Sequence, residues 1–401
     1  MKFVLATYGS RGDVEPFAAV GRELRRRGHD VLAAVPPNLR CFVESVGIAA
    51  VTFGPESPST HDGDSVQSRT TEIVQNPFST VTEIMWHLTQ AWAQWDATLR
   101  VLADGADLVL TGRFEQGLAA NVAEYYGIPL AALHFFPGGD WHPGGWLGRM
   151  AKQAAETQRR ELGLPEAAGP SSGDMAVSMV IQAYDELCFP GLAAEWGEQA
   201  RRRPFVGALT LELPTDADDE VLSWIDQGTP PIFFGFGSAV RVRSAADTAA
   251  TISAVCAQLG ERALIYSGSN DFTQIPHFDN VKVVGAVNHV PVFPACRAVV
   301  HHGGAGTTAA GLRAGIPTLV LWHEVDDQPI WGAAVTRLKV GLDREFSTTT
   351  PQSLIADLRS VLTPEYASRA REVAARMTKP AESVASTADL LEEAARTRGC
   401  G

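Results

Sequence analysis

Short apolar runs alternate along the chain with stretches in which apolar residues recur every three or four positions. In the first half the runs are Lys2–Thr7, Val31–Val35, Leu108–Thr111 and Ile128–Phe135. In the second they are Ile232–Phe236, Ala263–Ser267, Val281–Val284, Ala298–His301 and Thr318–Trp322. Continuous rather than alternating apolarity predicts strands buried on both faces, as in a parallel sheet. After GSRGDVEP (residues 9–16), apolar positions at Phe17, Val20, Gly21 and Leu24 predict a first helix, ending at Arg27 with Gly28 as its C-terminal cap. Strand–helix alternation in both halves predicts an α/β fold with two parallel sheets. The less regular stretch from Ser57 to Ala103 holds Trp86, Trp92 and Trp95 in MWHLTQAWAQW. Aromatics at that density are most often core, though they could line an apolar cleft.

The polar segment LPTDADDE (Leu213–Glu220) opens the second half, and a linker near residues 195–215 predicts a ligand cleft where the two units meet. The expected domains are 1–200 and 201–380. Residues 381–401 form a last helix that packs back on the first domain, and helical patterns begin at about Pro351.

Composition narrows the function. The chain has 401 residues, 45% hydrophobic, with 33 Lys and Arg against 46 Asp and Glu, a net charge of −13. A nucleic-acid backbone is therefore excluded as a partner. The five cysteines (Cys41, Cys188, Cys256, Cys296, Cys400) have no C-x-x-C spacing. That argues against a disulfide framework or zinc site and suits a reducing compartment. MKFVLATYG reads as a first strand rather than a signal peptide, and no apolar run approaches a membrane span of ~20 residues. The expectation is a cytoplasmic protein, with peripheral contact at the inner face of a membrane left open.

The strongest chemical signal is AVVHHGGAGTTAAGLRAGIPTLVLW, residues 298–322. A buried strand ends at His301, and His302, Gly303, Gly304, Ala305, Gly306, Thr307 and Thr308 turn into a helix. Small residues let a ligand reach the backbone, and the helix start offers free N–H groups carrying about half a positive charge. A diphosphate fits such a site, with His302 and the threonines as further donors. The alternative is a tight strand-to-helix turn with a Thr cap. PPIFFGFGSAV (residues 230–240) puts Gly235, Gly237 and Ser238 at the carboxyl edge of the same sheet, as a second phosphate contact. In EVDDQPIWG (residues 324–332), Asp327 and Gln328 stand where they can bond sugar hydroxyls. Two Asp-x-Asp pairs, Asp62/Asp64 and Asp216/Asp218, lie in polar loops and read as solvated turns rather than metal sites.

These motifs together resemble the GT-B glycosyltransferases. The run GAVNHVPVFPACRAVVHHGGAGTTAAGLRAGIPT…DDQPIWG resembles their donor-site signature, and GSRGDVEP belongs to the same pattern. The likeness is to sterol glucosyltransferases, glycopeptide-antibiotic glycosyltransferases and mycobacterial glycolipid and glycopeptidolipid glycosyltransferases. ELGLP, IQAYDELCFPGLAAEW and PFVGALT resemble the mycobacterial group. The resemblance implies two Rossmann-like domains facing each other across a cleft. It implies an inverting, metal-independent transfer of a hexose or 6-deoxyhexose from a UDP- or dTDP-sugar co-substrate to a hydroxyl of a hydrophobic acceptor, with no cofactor. His302 and the backbone from Gly303 to Thr308 would hold the diphosphate, helped by Ser238, Ser10, Arg11 and Gly12. Val287 would face the nucleobase, and Asp327 with Gln328 the sugar. Asp13 stands where many relatives carry a catalytic histidine and is the expected base, its rival role being to cap the first helix; His134, in ALHFFP, is the alternative base. The acceptor would meet Trp86, Trp92, His134, Phe135, Phe136 and Trp141. Two departures matter: the chain is short between Phe136 and ELGLP, and the loop before Asp327 is one residue longer, so Asp326 competes as the sugar contact. A nucleotide-sugar-binding protein without transfer, or a sugar-nucleotide epimerase, are the other readings.

Overall fold

The computed structural model describes residues 1–57, 77–138, 146–166, 177–237, 244–268, 270, 272, 275–323 and 327–396, without the side chains of 77–88 and 146–147. The chain divides into two compact units, one of Met1–Glu186, Pro190–Leu211 and Pro380–Gly401, the other of Leu187–Phe189 and Glu212–Lys379.

The first unit is built on six parallel strands: β1 (Lys2–Ala6), β2 (Asp30–Val35), β3 (Ala49–Thr52), β4 (Leu108–Thr111), β5 (Leu130–His134) and β6 (Met179–Gln182). Their order is β3-β2-β1-β4-β5-β6. Its helices are α1 (Arg11–Arg26), α2 (Arg40–Ser45), α3 (Pro77–Ala103), α4 (Gln116–Tyr126), α5 (Trp146–Glu161) and α6 (Leu192–Trp196). Phe3, Val4, Leu5 and Ala6 of β1 are all fully buried, which is why this strand carries no polar alternation. Gly21 lets α1 lie close on the sheet: a β-carbon there would be 2.8 Å from Leu5 Cδ1 and 2.9 Å from Ile48 Cδ1.

The second unit repeats the plan with β7 (Ile232–Gly235), β8 (Ala263–Tyr266), β9 (Val281–Val284), β10 (Ala298–His301), β11 (Thr318–Trp322) and β12 (Gly341–Glu345). Their order, β12-β11-β10-β7-β8-β9, is the same doubly wound topology. Its helices are α7 (Asp218–Asp226), α8 (Ala245–Leu259), α9 (His289–Val292), α10 (Ala305–Ala314), α11 (Gln328–Leu338), α12 (Pro351–Val361) and α13 (Pro364–Ala374). The last helix, α14 (Pro380–Arg396), belongs to the first unit, where it packs on α1. In an open sheet of this kind, ligands sit beyond the carboxyl ends of the strands where the winding reverses. Those points lie between β1 and β4 in one unit and between β7 and β10 in the other.

Three expectations are revised. The first helix begins at Arg11, six positions earlier than Phe17, so Arg11, Gly12 and Asp13 form its first turn rather than a loop. Residues 77–103, expected to be irregular, form a single helix of 27 residues. Strands β3, β6 and β12 were not expected; all three are sheet edges, and β12 (GLDRE) is mostly half-buried and polar.

Candidate functional site

At the first switch point, β1 runs through Thr7 into a turn capped by Ser10. The Ser10 hydroxyl oxygen accepts the Gly12 N–H at 3.2 Å, and Asp13 Oδ2 accepts the Ser10 N–H at 2.7 Å and its hydroxyl at 3.0 Å. This reciprocal capping box corrects the expectation for the cap itself: Ser10 caps the helix, and Asp13 is its partner three residues on. Burial raises the Asp13 carboxyl above its usual range, against the opposing pull of the Ser10 bonds. Arg11 donates from Nε to Glu15 Oε2 at 3.1 Å, and its guanidinium lies over the Phe42 ring, 4.5 Å from the centroid. Gly12 is exposed beside them.

On the neighbouring strand, the loop after β4 brings Glu115 to the same corner. Sequence reasoning passed over this residue. The signal was available in TGRFEQG, a strand end followed by a glycine and a carboxylate at the same sheet edge as GSRGD. Glu115 is fully buried, and its Oε1 accepts the Tyr8 N–H at 2.8 Å. Burial pushes its carboxyl up to about 8, and the Asp13 charge adds to the rise.

His134, at the end of β5, is buried and its Nε2 is hydrogen-bonded to Gln116 Oε1 at 2.9 Å. Burial, with the charges of Arg113 and Arg203, pulls it down to about 3, so it is neutral and a feeble base. Phe135 and Phe136 are half-buried; Phe135 meets Phe17 edge to face at 6.4 Å, and Arg113 lies over Phe136. Trp92 is half-buried against the core, and Trp95 within it stacks on Phe53 at 5.7 Å. The Trp86 side chain, Trp141 and the short region 139–145 lie outside the described residues.

The second switch point brings β7 and β10 together. The ring of His302 fills a slot between two glycines: a β-carbon on Gly237 would be 2.5 Å from His302 Cε1, and one on Gly304 would be 2.6 Å from Nε2. Burial lowers His302 to about 4, a backbone hydrogen bond at Gly235 pulling the other way. Its Nδ1 is buried and without a hydrogen-bond partner among the described residues. Helix α10 then starts at Ala305 with Gly304 as N-cap; a glycine has no side chain to cap with, and the first-turn N–H groups precede any acceptor within the helix itself. Thr308 differs from its expected place: it is fully buried and its hydroxyl donates to the Gly304 carbonyl at 2.9 Å, inside the helix. Gly303 lies against the start of α11, where a β-carbon would be 3.0 Å from the Gln328 carbonyl.

Asp327 is the N-cap residue of α11 and half-buried. Gln328 is buried, and its Oε1 accepts the His323 N–H at 2.8 Å, so this atom supports the β11 loop. Val287 is half-buried before α9. Ser238 and Asp326 lie outside the described residues, as do Asp62 and Asp64. Asp218 is no solvated turn residue: it is buried and accepts from the Thr215 N–H, the Thr215 hydroxyl and the Asn288 N–H. Burial would raise it, and those bonds together hold it below its usual range. Among the described residues, no three or more His, Cys, Asp or Glu gather as a metal site, and no helix is long and apolar enough to cross a membrane.

The comparisons with known proteins agree across the chain. Residues 3–129 match the glycosyltransferase family 28 N-terminal domain, and residues 264–392 match the erythromycin biosynthesis protein CIII-like C-terminal domain. The chain is 58% identical over 417 residues to the uncharacterized glycosyltransferase Rv1524 of Mycobacterium tuberculosis, with 99% of each covered. Among solved structures it superposes on the glycotransferase of kitacinnamycin (TM-score 0.73, 19% identity, 98% of each chain). It also superposes on the glycosyltransferase VinC in complex with dTDP (TM-score 0.66, 18% identity, 99% and 100% of the chains).

Proposed function

The chain belongs to the GT-B glycosyltransferases of the family 1 type, and we propose that it moves a hexose or 6-deoxyhexose from a UDP- or dTDP-sugar to a hydroxyl of a hydrophobic acceptor. The observation that carries the donor half is the bare start of α10 beside the unpartnered Nδ1 of His302, at the point where nucleotides sit in doubly wound sheets. VinC, a structural neighbour, is described in complex with dTDP, which favours a nucleoside diphosphate of this kind. The acceptor is a lipid, peptidolipid, sterol or natural-product aglycone, met by Phe135, Phe136, Trp86, Trp92 and Trp141. No metal takes part in this reading.

Asp13 accepts the proton of the acceptor hydroxyl. That oxygen attacks the anomeric carbon from the face opposite the diphosphate, and the C–O bond to the diphosphate breaks with its electron pair leaving on phosphate. Both Ser10 bonds fall on Asp13 Oδ2, and the proton goes to Oδ1 in this reading. A raised carboxyl is the better base, whereas His134, pulled down to about 3 and bonded to Gln116, is the poorer one. The helix N–H groups of α10 and a neutral His302 meet the charge on the departing diphosphate by hydrogen bonding.

The test is a panel of UDP- and dTDP-sugars offered with a lipid extract, scored for nucleoside diphosphate release and for glycosylated product. Release that depends on acceptor supports transfer; donor conversion without acceptor would instead mark an epimerase. Asp13→Asn should lower kcat by roughly 100- to 10,000-fold with donor binding kept.

A further inference from the structure

Two carboxyl groups grip one turn. Glu115 Oε1 takes the Tyr8 N–H at 2.8 Å, and Asp13 Oδ2 takes the Ser10 N–H at 2.7 Å, two residues further on. The backbone is shaped around both. A β-carbon on Gly112 would lie 2.8 Å from Glu115 Oε2 and 3.1 Å from the Thr7 hydroxyl, and one on Gly9 would lie 2.3 Å from Asp13 Oδ2. Thr7, Thr111 and Glu115 are buried to 1% exposure or less. Within that pocket of polar groups, Glu115 Oε2 and the Thr111 hydroxyl have no hydrogen-bond partner among the described residues. An ionised oxygen left in that state is costly, and the cheaper form carries a proton there.

We propose that Glu115 is a positioning residue for Asp13: as a neutral carboxylic acid it holds the Tyr8–Ser10 turn in place and leaves Asp13 the single negative charge of the corner. The proposal rests on the reading of Asp13 as the base. Since Oε1 accepts the Tyr8 N–H, the proton of Glu115 belongs on Oε2, the oxygen that lies where a β-carbon of Gly112 would be. The titratable groups that face Glu115 are Asp13 from α1 and Tyr8 from the end of β1, whose phenol is pushed up to about 12 by burial and by the Glu115 charge. Arg113, on the same loop, lies over Phe136 and exerts its field on His134. Burial, with the Asp13 charge adding to it, keeps the proton on Glu115 across neutral pH. Burial places the loss of that proton at about pH 8. Above it, a second buried charge with an unsatisfied oxygen loosens the turn, and transfer falls.

The test combines a titration with kinetics on the full chain. With side-chain carboxyl ¹³C labelling of glutamate, one resonance should titrate near pH 8, vanish in Glu115→Gln and move to lower pH in Asp13→Asn. In transfer assays Glu115→Gln, neutral and still an acceptor for Tyr8 N–H, should stay within about threefold of wild type at neutral pH and lose the alkaline decline. Glu115→Ala should fall by about tenfold or more, through kcat rather than KM. A Glu115 resonance in the ordinary glutamate range, a midpoint indifferent to Asp13→Asn, or a Glu115→Gln enzyme as impaired as Glu115→Ala each overturn the proposal. Full transfer by Asp13→Asn would overturn the base reading instead, and the carboxyl titration would tell the two failures apart.

Discussion

A methyl group on Gly9 would come within 2.3 Å of Asp13 Oδ2, so the carboxyl occupies the space in which a side chain at position 9 would begin. Gly9 also stands at φ 142°, where an L side chain is strained regardless of space. Gly9→Ala should therefore push the carboxyl off the Ser10 N–H and misplace it toward the acceptor. We expect kcat to fall by about 100-fold, the loss associated with a misplacement of about 1 Å. Binding of UDP or dTDP, measured by calorimetry, should be kept. Wild-type kcat in Gly9→Ala would show that this contact does not set the carboxyl.

The second glycine contact of this kind holds His302. Its ring sits where β-carbons of Gly237 and Gly304 would be, and Gly237 has φ 72°. Gly237→Ala should rotate the ring away and close the approach to the start of α10. A tenfold weaker affinity for nucleoside diphosphate, about 1.4 kcal/mol, is the expected result in a calorimetric titration. His302→Ala should cost a similar amount, and the double variant little more, because both act on one contact. Additive losses would separate the glycine from the histidine.

How far the sequence discloses this corner depends on what each residue is for. The central strands are legible because burial on both faces leaves them continuously apolar, and Ala298–His301 and Thr318–Trp322 stand where the apolar runs put them. The edge strand β12 lacks that mark: it carries Asp343, Arg344 and Glu345, because one side has no strand to face. The HHGGAGTT turn is legible because glycine and small residues at a strand end have few other reasons to cluster. Its limits are legible only in three dimensions, since a Thr at a helix start can face a ligand or, as Thr308 does, bond back to the Gly304 carbonyl. The start of α1 was obscured by its own glycines and by Pro16, which resemble loop residues until the Ser10–Asp13 box is seen. Glu115 was missed because a single carboxylate after a strand is common; its burial, which makes it unusual, comes from packing.

Histidines buried in neutral form make the protein sensitive to acid. His134 is pulled from the usual 6.5 to about 3 and His302 to about 4, both chiefly by burial. Below pH 6.5 the unfolded chain takes up protons that the folded chain refuses, so stability is lost as pH falls from about 6.5 toward 4. Each histidine adds a slope of at most about 1.4 kcal/mol per pH unit in that window. Denaturant unfolding followed at a series of pH values should show this loss, and His134→Gln should make it shallower in the first unit. Glu115 works in the opposite sense. Its carboxyl is raised from 4.5 to about 8, so the folded chain holds a proton that the unfolded one releases, and stability declines as pH rises through that range. Glu115→Gln should remove that decline; an unchanged pH dependence in both variants would refute the buried-neutral assignment.

Arg27 fastens α14 to the end of α1. Its Nη1 donates to Asp389 Oδ1 at 2.6 Å and Glu392 Oε1 at 3.2 Å, Nη2 to the Ala385 carbonyl at 3.2 Å, and Nε to Glu23 Oε1 at 2.8 Å. His29 Nε2 adds a bond to the same Glu392 oxygen at 2.9 Å. At 21% side-chain exposure the guanidinium is shielded enough for these bonds to matter more than surface ion pairs do. Its planar fork, which serves a carbonyl and three carboxylates at once, has no equivalent in lysine. Arg27→Ala should destabilise the first unit by about 2 kcal/mol, in the range for charged hydrogen bonds left unmade, and Arg27→Lys should recover less than half of that. The loss should appear first as local opening of α14. Limited proteolysis of Arg27→Ala should cut within 380–396 under conditions in which the parent protein is resistant, while nucleotide binding by the second unit persists. Resistance equal to the parent's, with an unshifted unfolding transition, would mean that apolar packing by Leu391, Ala388 and Ala395 holds the helix without the arginine.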